Sequence, residues 1–147
     1  MSNTRCLIHA VINTKSRRMT INEPHCGELY NLLACLCTQL GCRMLRVNGI
    51  ANHVHMLVDL HPTVGLAEFM RLVKQRSSLW LKRSGVHPHF EGWGKEYFAH
   101  SVSPRHVDAV TRYINDQKEH HRVLSFEEEI RKITENSGMA WNDLMLT

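Results

Sequence analysis

Apolar residues follow two rhythms along this chain, alternation in short runs and a three-four spacing in longer ones. Residues 6–13 form a β-branched, largely apolar run that predicts a first strand. From about residue 22 to 40, Cys26, Leu29, Leu33, Leu36, Cys37 and Leu40 recur every three or four positions, and Gly41 stands where such a helix would stop. Residues 43–50 predict a second strand, with Leu45 and Val47 on the side opposite Met44, Arg46 and Asn48. A turn within residues 49–52 makes it the hairpin partner of a third strand ending at Asp59. Thr63 is placed to cap a helix reaching about Arg83, with a stripe of Leu66, Phe69, Met70, Val73, Ser77 and Trp80. A loop around Phe90 and Trp93 follows, then a weakly alternating edge strand over residues 96–102. Ser103-Pro104 opens a helix that continues to about residue 121 or 123. Ser125 caps a shorter helix over residues 126–134, whose Glu127, Glu128 and Glu129 suit its positive N-terminal end. The remainder reads as an irregular tail in which Trp141 and Leu144 dock on the body.

The order strand, helix, strand, strand, helix, strand is that of an α+β, ferredoxin-like β-α-β-β-α-β fold: an antiparallel sheet with two helices on one face, here with extra C-terminal helices. Residues 1–147 are read as one domain. In the third strand the period of two puts His53 and His55 on one face and Val54, Met56 and Val58 on the other. The apolar set belongs under the helices, so the two histidines belong on the open face of the sheet. Two adjacent neutral imidazoles make half of a metal site. In a chain with 11 histidines, a polar strand face that happens to carry two is the ordinary explanation.

Composition narrows the classes without choosing among them. With 43% hydrophobic and 22% charged residues the chain is neither disordered nor fibrous. No apolar run approaches the ~18 residues of a membrane span, so no membrane is expected, and the N-terminus lacks a signal-like stretch, making the cytoplasm the default. Five cysteines without a Cys-x-x-Cys pair indicate neither a disulfide framework nor a zinc knuckle. A net charge of +4 permits a nucleic-acid partner.

In the Ser103 helix, Tyr113 and Gln117 are four apart and flank the stripe Val107, Val110, Ile114, so a phenol and an amide could reach the histidine face. Here the pattern resembles a family. His53-Val54-His55 matches the His-hydrophobe-His (HUH) motif of single-tyrosine nucleases. Tyr113-Ile114-Asn115-Asp116-Gln117 followed by His120-His121 resembles the nucleophile helix of the small insertion-sequence and REP-associated tyrosine transposases. The stretches 8–18, 73–78, 97–103 and 125–129 resemble further segments of such proteins in the same order.

The resemblance implies a transposase, a metal-dependent single-stranded DNA endonuclease and strand transferase. His53, His55 and Gln117 would hold one divalent cation, Mg2+ or Mn2+, and Tyr113 would attack the scissile phosphate to give a 5′-phosphotyrosine and a free 3′-hydroxyl. The implied partner is single-stranded DNA carrying a hairpin, at an element end or in a REP-type palindrome. A homodimer is also implied, with the Tyr113 helix serving either its own or its partner's histidines. Lys15, Arg17, Arg18, Lys74 and Arg76 are candidate phosphate contacts, and Trp93 a candidate platform for an unpaired base. His120 and His121 read as helix-end residues, His9 as structural, and Asp59 as too far along its strand to join the site. Two rivals remain: a domesticated, non-cleaving nucleic-acid-binding module of the same fold, and a replication initiator or relaxase using the same chemistry.

Overall fold

The structure, a computed structural model, describes residues 2–121 and 124–139. Four strands, β1 (Leu7–Asn13), β2 (Arg43–Ile50), β3 (His53–Asp59) and β4 (Phe98–Ser101), form one antiparallel sheet in the order β2-β3-β1-β4. The histidine strand is therefore central. On one face lie α1 (Cys26–Gln39) and α2 (Leu66–Arg83), and the main core fills the space between them and the sheet. Ala10 and Ile12 of β1 and Val54, Met56 and Val58 of β3 meet Leu29, Leu33 and Cys37 of α1 and Phe69, Met70 and Val73 of α2. Each such large side chain contributes roughly 1.5–3 kcal/mol by leaving water.

Several boundaries differ from the sequence pattern for local reasons. The first helix opens as a 3-10 turn, Glu23–His25, with Pro24 in its first turn, where a missing amide leaves no acceptor unmet. The second begins at Leu66 with Gly65 as its cap. Thr63 is instead bound to the His61 ring, its hydroxyl 2.7 Å from Nδ1, in the preceding turn. In β2 the register shifts between Met44 and Arg46. The bulge turns Met44 and Val47 to the main core and Leu45 to the opposite face, breaking the expected Leu45/Val47 pairing.

The largest difference is the second face of the sheet, which is not open. After Ser103, whose hydroxyl accepts from the Arg105 amide, a 3-10 turn leads into α3 (Val107–Asn115). Next come α4 (Gln117–His120) and α5 (Phe126–Asn136). α3 lays Ile114, Val107, Val110 and Tyr113 on Leu7, Leu57 and Val102. α5 lays Phe126 and Ile130 on Val11 and Phe98. Those apolar side chains, interleaved with the histidines on β1, β3 and β4, are what that face buries. The expected single helix from Ser103 is thus broken at Asp116, and the docking expected of Trp141 and Leu144 lies outside the described residues. Among the described residues no helix is long and apolar enough to cross a membrane.

Candidate active site

Strand pleating sets His53 and His55 side by side, with ring centroids 5.1 Å apart and neither exposed to solvent. Three further elements close around them. Asn48 of β2 donates from Nδ2 to the carbonyls of Ile114 (3.0 Å) and Asn115 (3.1 Å), satisfying the last turn of α3 and fixing it to the sheet. That anchor places Tyr113 with its ring 5.8 Å from His55, and α4 then turns Gln117 fully inward. From the far side Phe126 of α5 stacks on His53, centroids 4.2 Å apart, and one helical turn of α5 brings in the buried Glu129. All of these side chains belong to one chain.

The Glu129 carboxylate is the hub. Its Oε1 lies 3.1 Å from His53 Nε2, 3.1 Å from His55 Nε2 and 3.0 Å from His121 Nε2. Its Oε2 accepts from Gln117 Nε2 at 2.9 Å and from the Tyr113 hydroxyl. Around it, hydrogen positions follow from partners that can act in one way only. Asn52 Nδ2 donates to the Arg17 carbonyl at 3.3 Å, so its Oδ1 faces His53 Nδ1 at 2.8 Å and must accept. His53 then carries its proton on Nδ1 and presents a bare Nε2. Gln117 is oriented by its bond to Glu129, so its Oε1 faces that same Nε2 at 3.1 Å. An imidazole lone pair, an amide oxygen and a carboxylate oxygen converge with no hydrogen among them. Such a cluster is repulsive unless positive charge stands at its centre.

The arrangement fits a metal ion. His53, His55 and Glu129 each offer an atom within 4.8 Å of the others. At metal–ligand distances of about 2.1 Å, neighbouring ligands of an octahedral ion stand about 3.0 Å apart, close to the 3.1 Å contacts that link His53 with Gln117 and both histidines with Glu129. Two imidazoles suit manganese, and the carboxylate adds the hard oxygen that magnesium prefers. Burial pushes His53 down to about 4, keeping it a neutral ligand. Burial would raise Glu129, but the bond from His121 holds it well below the usual carboxylate range. Burial and the adjacent Glu129 charge push Tyr113 well above an ordinary phenol, so without an ion it stays protonated.

Comparison with known proteins fits this geometry. The family described as "Transposase IS200 like" matches residues 2–117, which include β3, Tyr113 and Gln117. The chain belongs to this family of IS200-like transposases. Transposases for insertion sequence element IS200 from Salmonella typhimurium and Salmonella typhi are each 27% identical over 123 residues, covering 80% of this chain and 80% of theirs. Two solved structures share the fold. A Deinococcus radiodurans crystal structure described as a transposase superposes with a TM-score of 0.63 at 22% identity, over 79% of this chain and 93% of that one. A REP-associated tyrosine transposase bound to a REP hairpin superposes with a TM-score of 0.61 at 12% identity, over all of this chain and 94% of that one.

In this transposase several of the residues singled out in sequence lie together. His53, His55, Gln117 and Tyr113 share one cluster. Lys15, Arg17, Lys74 and Trp93 line a groove of about 930 Å³ with Lys82, Lys95 and Glu127. Arg18 stands beside it, paired with Glu91 at 3.0 Å. Arg76 does not join: it faces another surface of α2 with Arg71 and Leu79. Trp93 is half-buried, its indole N–H donated to Ser77 Oγ at 2.9 Å and its ring edge-on to Phe90, so it forms a wall of the groove rather than a free platform. His121, expected only to end a helix, reaches Glu129, and its neighbour His120 lies over the Tyr113 ring at 4.6 Å. Glu129 itself was missed. It lies beyond the span that the family matches, and three successive glutamates after a serine cap look alike in sequence.

Proposed function

We propose that the chain is a single-tyrosine DNA transposase of the HUH class, a metal-dependent endonuclease and strand transferase for hairpin-bearing single-stranded DNA. The observation that carries this reading is the junction of Tyr113 and the histidine pair at Glu129: a nucleophile and a set of cation ligands share one buried carboxylate. His53, His55, Gln117 and Glu129 would hold Mg2+ or Mn2+, which supplies Lewis acidity to the scissile phosphate and the positive charge that a phenolate needs. Tyr113 adds its oxygen to phosphorus, and its proton leaves along the existing hydrogen bond to Glu129. As the Tyr–O–P bond forms the P–O3′ bond breaks, and the departing oxygen takes a proton from water. A 5′-phosphotyrosine and a 3′-hydroxyl result, and attack by a different 3′-hydroxyl reverses the step and joins a new strand. One bond is exchanged for another, so no energy-supplying nucleotide is required.

The strand follows the basic groove of Lys15, Arg17, Lys74 and Lys82, assisted by Arg18. Its scissile phosphate approaches Tyr113 from a crevice of about 450 Å³ that the tyrosine lines with His9, His100, Ser103, His106 and Asn136. The protein acts in the cytoplasm as one domain. In a homodimer each Tyr113 serves its own histidines, since Ile114 beside it is packed into its own sheet.

The test is incubation with hairpin-bearing single strands and manganese, followed by denaturing electrophoresis. Wild type should leave a covalent protein–DNA adduct, and Tyr113→Phe should leave none. An equal adduct from the variant refutes the assignment of the nucleophile.

A further inference from the structure

His55 must meet the same demand as His53, a bare Nε2 aimed at the ion site, yet its other nitrogen has no carbonyl or carboxylate beside it. Its Nδ1 lies 2.8 Å from Nε2 of His9, a buried imidazole on the neighbouring strand β1. His9 Nδ1 in turn lies 3.0 Å from His100 Nε2 on β4, and His100 Nδ1 lies 2.9 Å from the Ser101 carbonyl oxygen. Three imidazoles from three adjacent strands thus form a hydrogen-bonded chain with a backbone acceptor at its outer end.

That acceptor decides the pattern. A carbonyl oxygen can only accept, so His100 carries its proton on Nδ1 and turns a lone pair to His9. His9 must then donate from Nδ1, which leaves its Nε2 as an acceptor. His55 donates to it from Nδ1, and Nε2 of His55 is bare. With all three rings neutral and an ion on His55 Nε2, that nitrogen carries no hydrogen, His55 is protonated on Nδ1, and reversing the middle ring sets hydrogen against hydrogen at 2.8 Å. With the ion in place only one arrangement satisfies every contact; without it the reversed chain would donate from His55 Nε2 to Glu129 Oε1 at 3.1 Å and give up the Ser101 carbonyl.

Resting on the proposed metal-dependent cleavage, we infer that His9 is a positioning residue: with His100 and the Ser101 carbonyl it locks His55 in the tautomer that presents Nε2 to the ion. His9 does not touch the ion in this scheme, and because it also borders the crevice beside Tyr113 its role is read without DNA. Its work is done through His55, as outer partners commonly orient metal-bound histidines. The register explains the contact. His9 and His55 lie on the same face of adjacent strands, diagonal across the β1–β3 ladder that pairs Val11 with His55. His100 is directly opposite His9 in the β1–β4 ladder. Ser101 ends β4 just ahead of the segment that leads to Tyr113, so one strand end anchors the tautomer and starts the path to the nucleophile.

Two variants of the whole chain, without DNA, separate this role from packing. His9→Leu keeps an apolar filler but removes the acceptor. His9→Gln places an amide oxygen near the former Nε2, where it accepts the same proton. Binding of Mn2+, read from the paramagnetic resonance of the free ion, should weaken about ten-fold or more in His9→Leu and remain within about three-fold of wild type in His9→Gln, the range found for outer partners of metal-bound histidines. Equal affinities for the leucine and glutamine variants overturn the inference. A second reading uses nitrogen-15 NMR of the histidine rings in protein supplied with diamagnetic Mg2+ at slightly alkaline pH. Wild type and His9→Gln should show His55 protonated on Nδ1, and His9→Leu a mixture of tautomers. A wild-type His55 protonated on Nε2 overturns the inference even where Mn2+ binds and an adduct forms. If His9→Leu does not fold, His100→Leu removes the half-buried anchor instead and should give the same mixture, and an unchanged His55 there refutes the chain. Absence of a covalent adduct refutes the cleavage reading and leaves the ring signature to decide this one.

Discussion

A buried carboxylate ringed by three imidazoles, an amide and a phenol is held together by a balance of charge that pH disturbs. His53 is pushed down to about 4 from an ordinary 6.5, chiefly by burial, and His9 is pushed well below it by burial and by His55 and His100. Between those values the unfolded chain binds protons that the folded one refuses, so stability falls as pH drops. His121 works the other way: burial lowers it, but Glu129 raises it on balance, adding stability below its ordinary value that is lost as pH rises. The His53 shift is large and His9 acts in the same direction, so together they set the sign. The ion-free protein should therefore lose stability from pH 7 to pH 4.5, with His53 alone contributing up to roughly 3 kcal/mol. Urea unfolding at a series of pH values measures this, and a flat profile contradicts it. Glu129→Gln keeps the shape but removes the charge. It should weaken Mn2+ binding in DNA-free protein by about ten-fold or more and reduce adduct formation with it, as calorimetry and electrophoresis would report.

At the scale of elements, the β2–β3 hairpin holds the histidine pair by an unusually close approach. A Cβ on Gly49 would fall on the His53 carbonyl oxygen and 2.9 Å from Val54 Cα, both backbone atoms that cannot turn aside. Gly49→Ala should force the strands apart, cost about 2 kcal/mol or more in thermal unfolding, and weaken metal binding because His53 moves with its carbonyl. Strand β3 was legible in sequence because a period of two needs no tertiary information. Leu45 was not, since a bulge shifts every later side chain and leaves no residue-type signal. Glu129 was illegible for a related reason. At 100° per residue Glu127, Glu128 and Glu129 point in three directions, and only the docking of Phe126 and Ile130 on the sheet decides that the third turns inward. The covered face could have been anticipated from Leu7, Val11, Leu57 and Phe98, apolar residues sharing a face with the histidines that no predicted helix pair accounted for.

For the whole molecule, α5 links two sites. Its Glu129 closes the histidine cluster while its Glu127, two residues earlier on the opposite side of the helix, lies in the basic groove 3.8 Å from Arg17. A DNA phosphate entering that groove must compete with this carboxylate for Arg17. The pair is about half-exposed on both sides, so the competition is weak and screened by salt. Glu127→Gln should tighten hairpin binding about two- to five-fold at low salt, and the gain should vanish as salt rises. Lys15→Ala and Lys74→Ala should each weaken binding across sequences and flatten the dependence of log affinity on log salt by about one unit or slightly less. Arg76→Ala, on the other surface of α2, should leave both unchanged. Fluorescence anisotropy with a labelled hairpin over a salt series distinguishes these cases. If Arg76 proves as important as Lys15, the strand does not follow this groove, and Glu127 is then an ordinary surface charge.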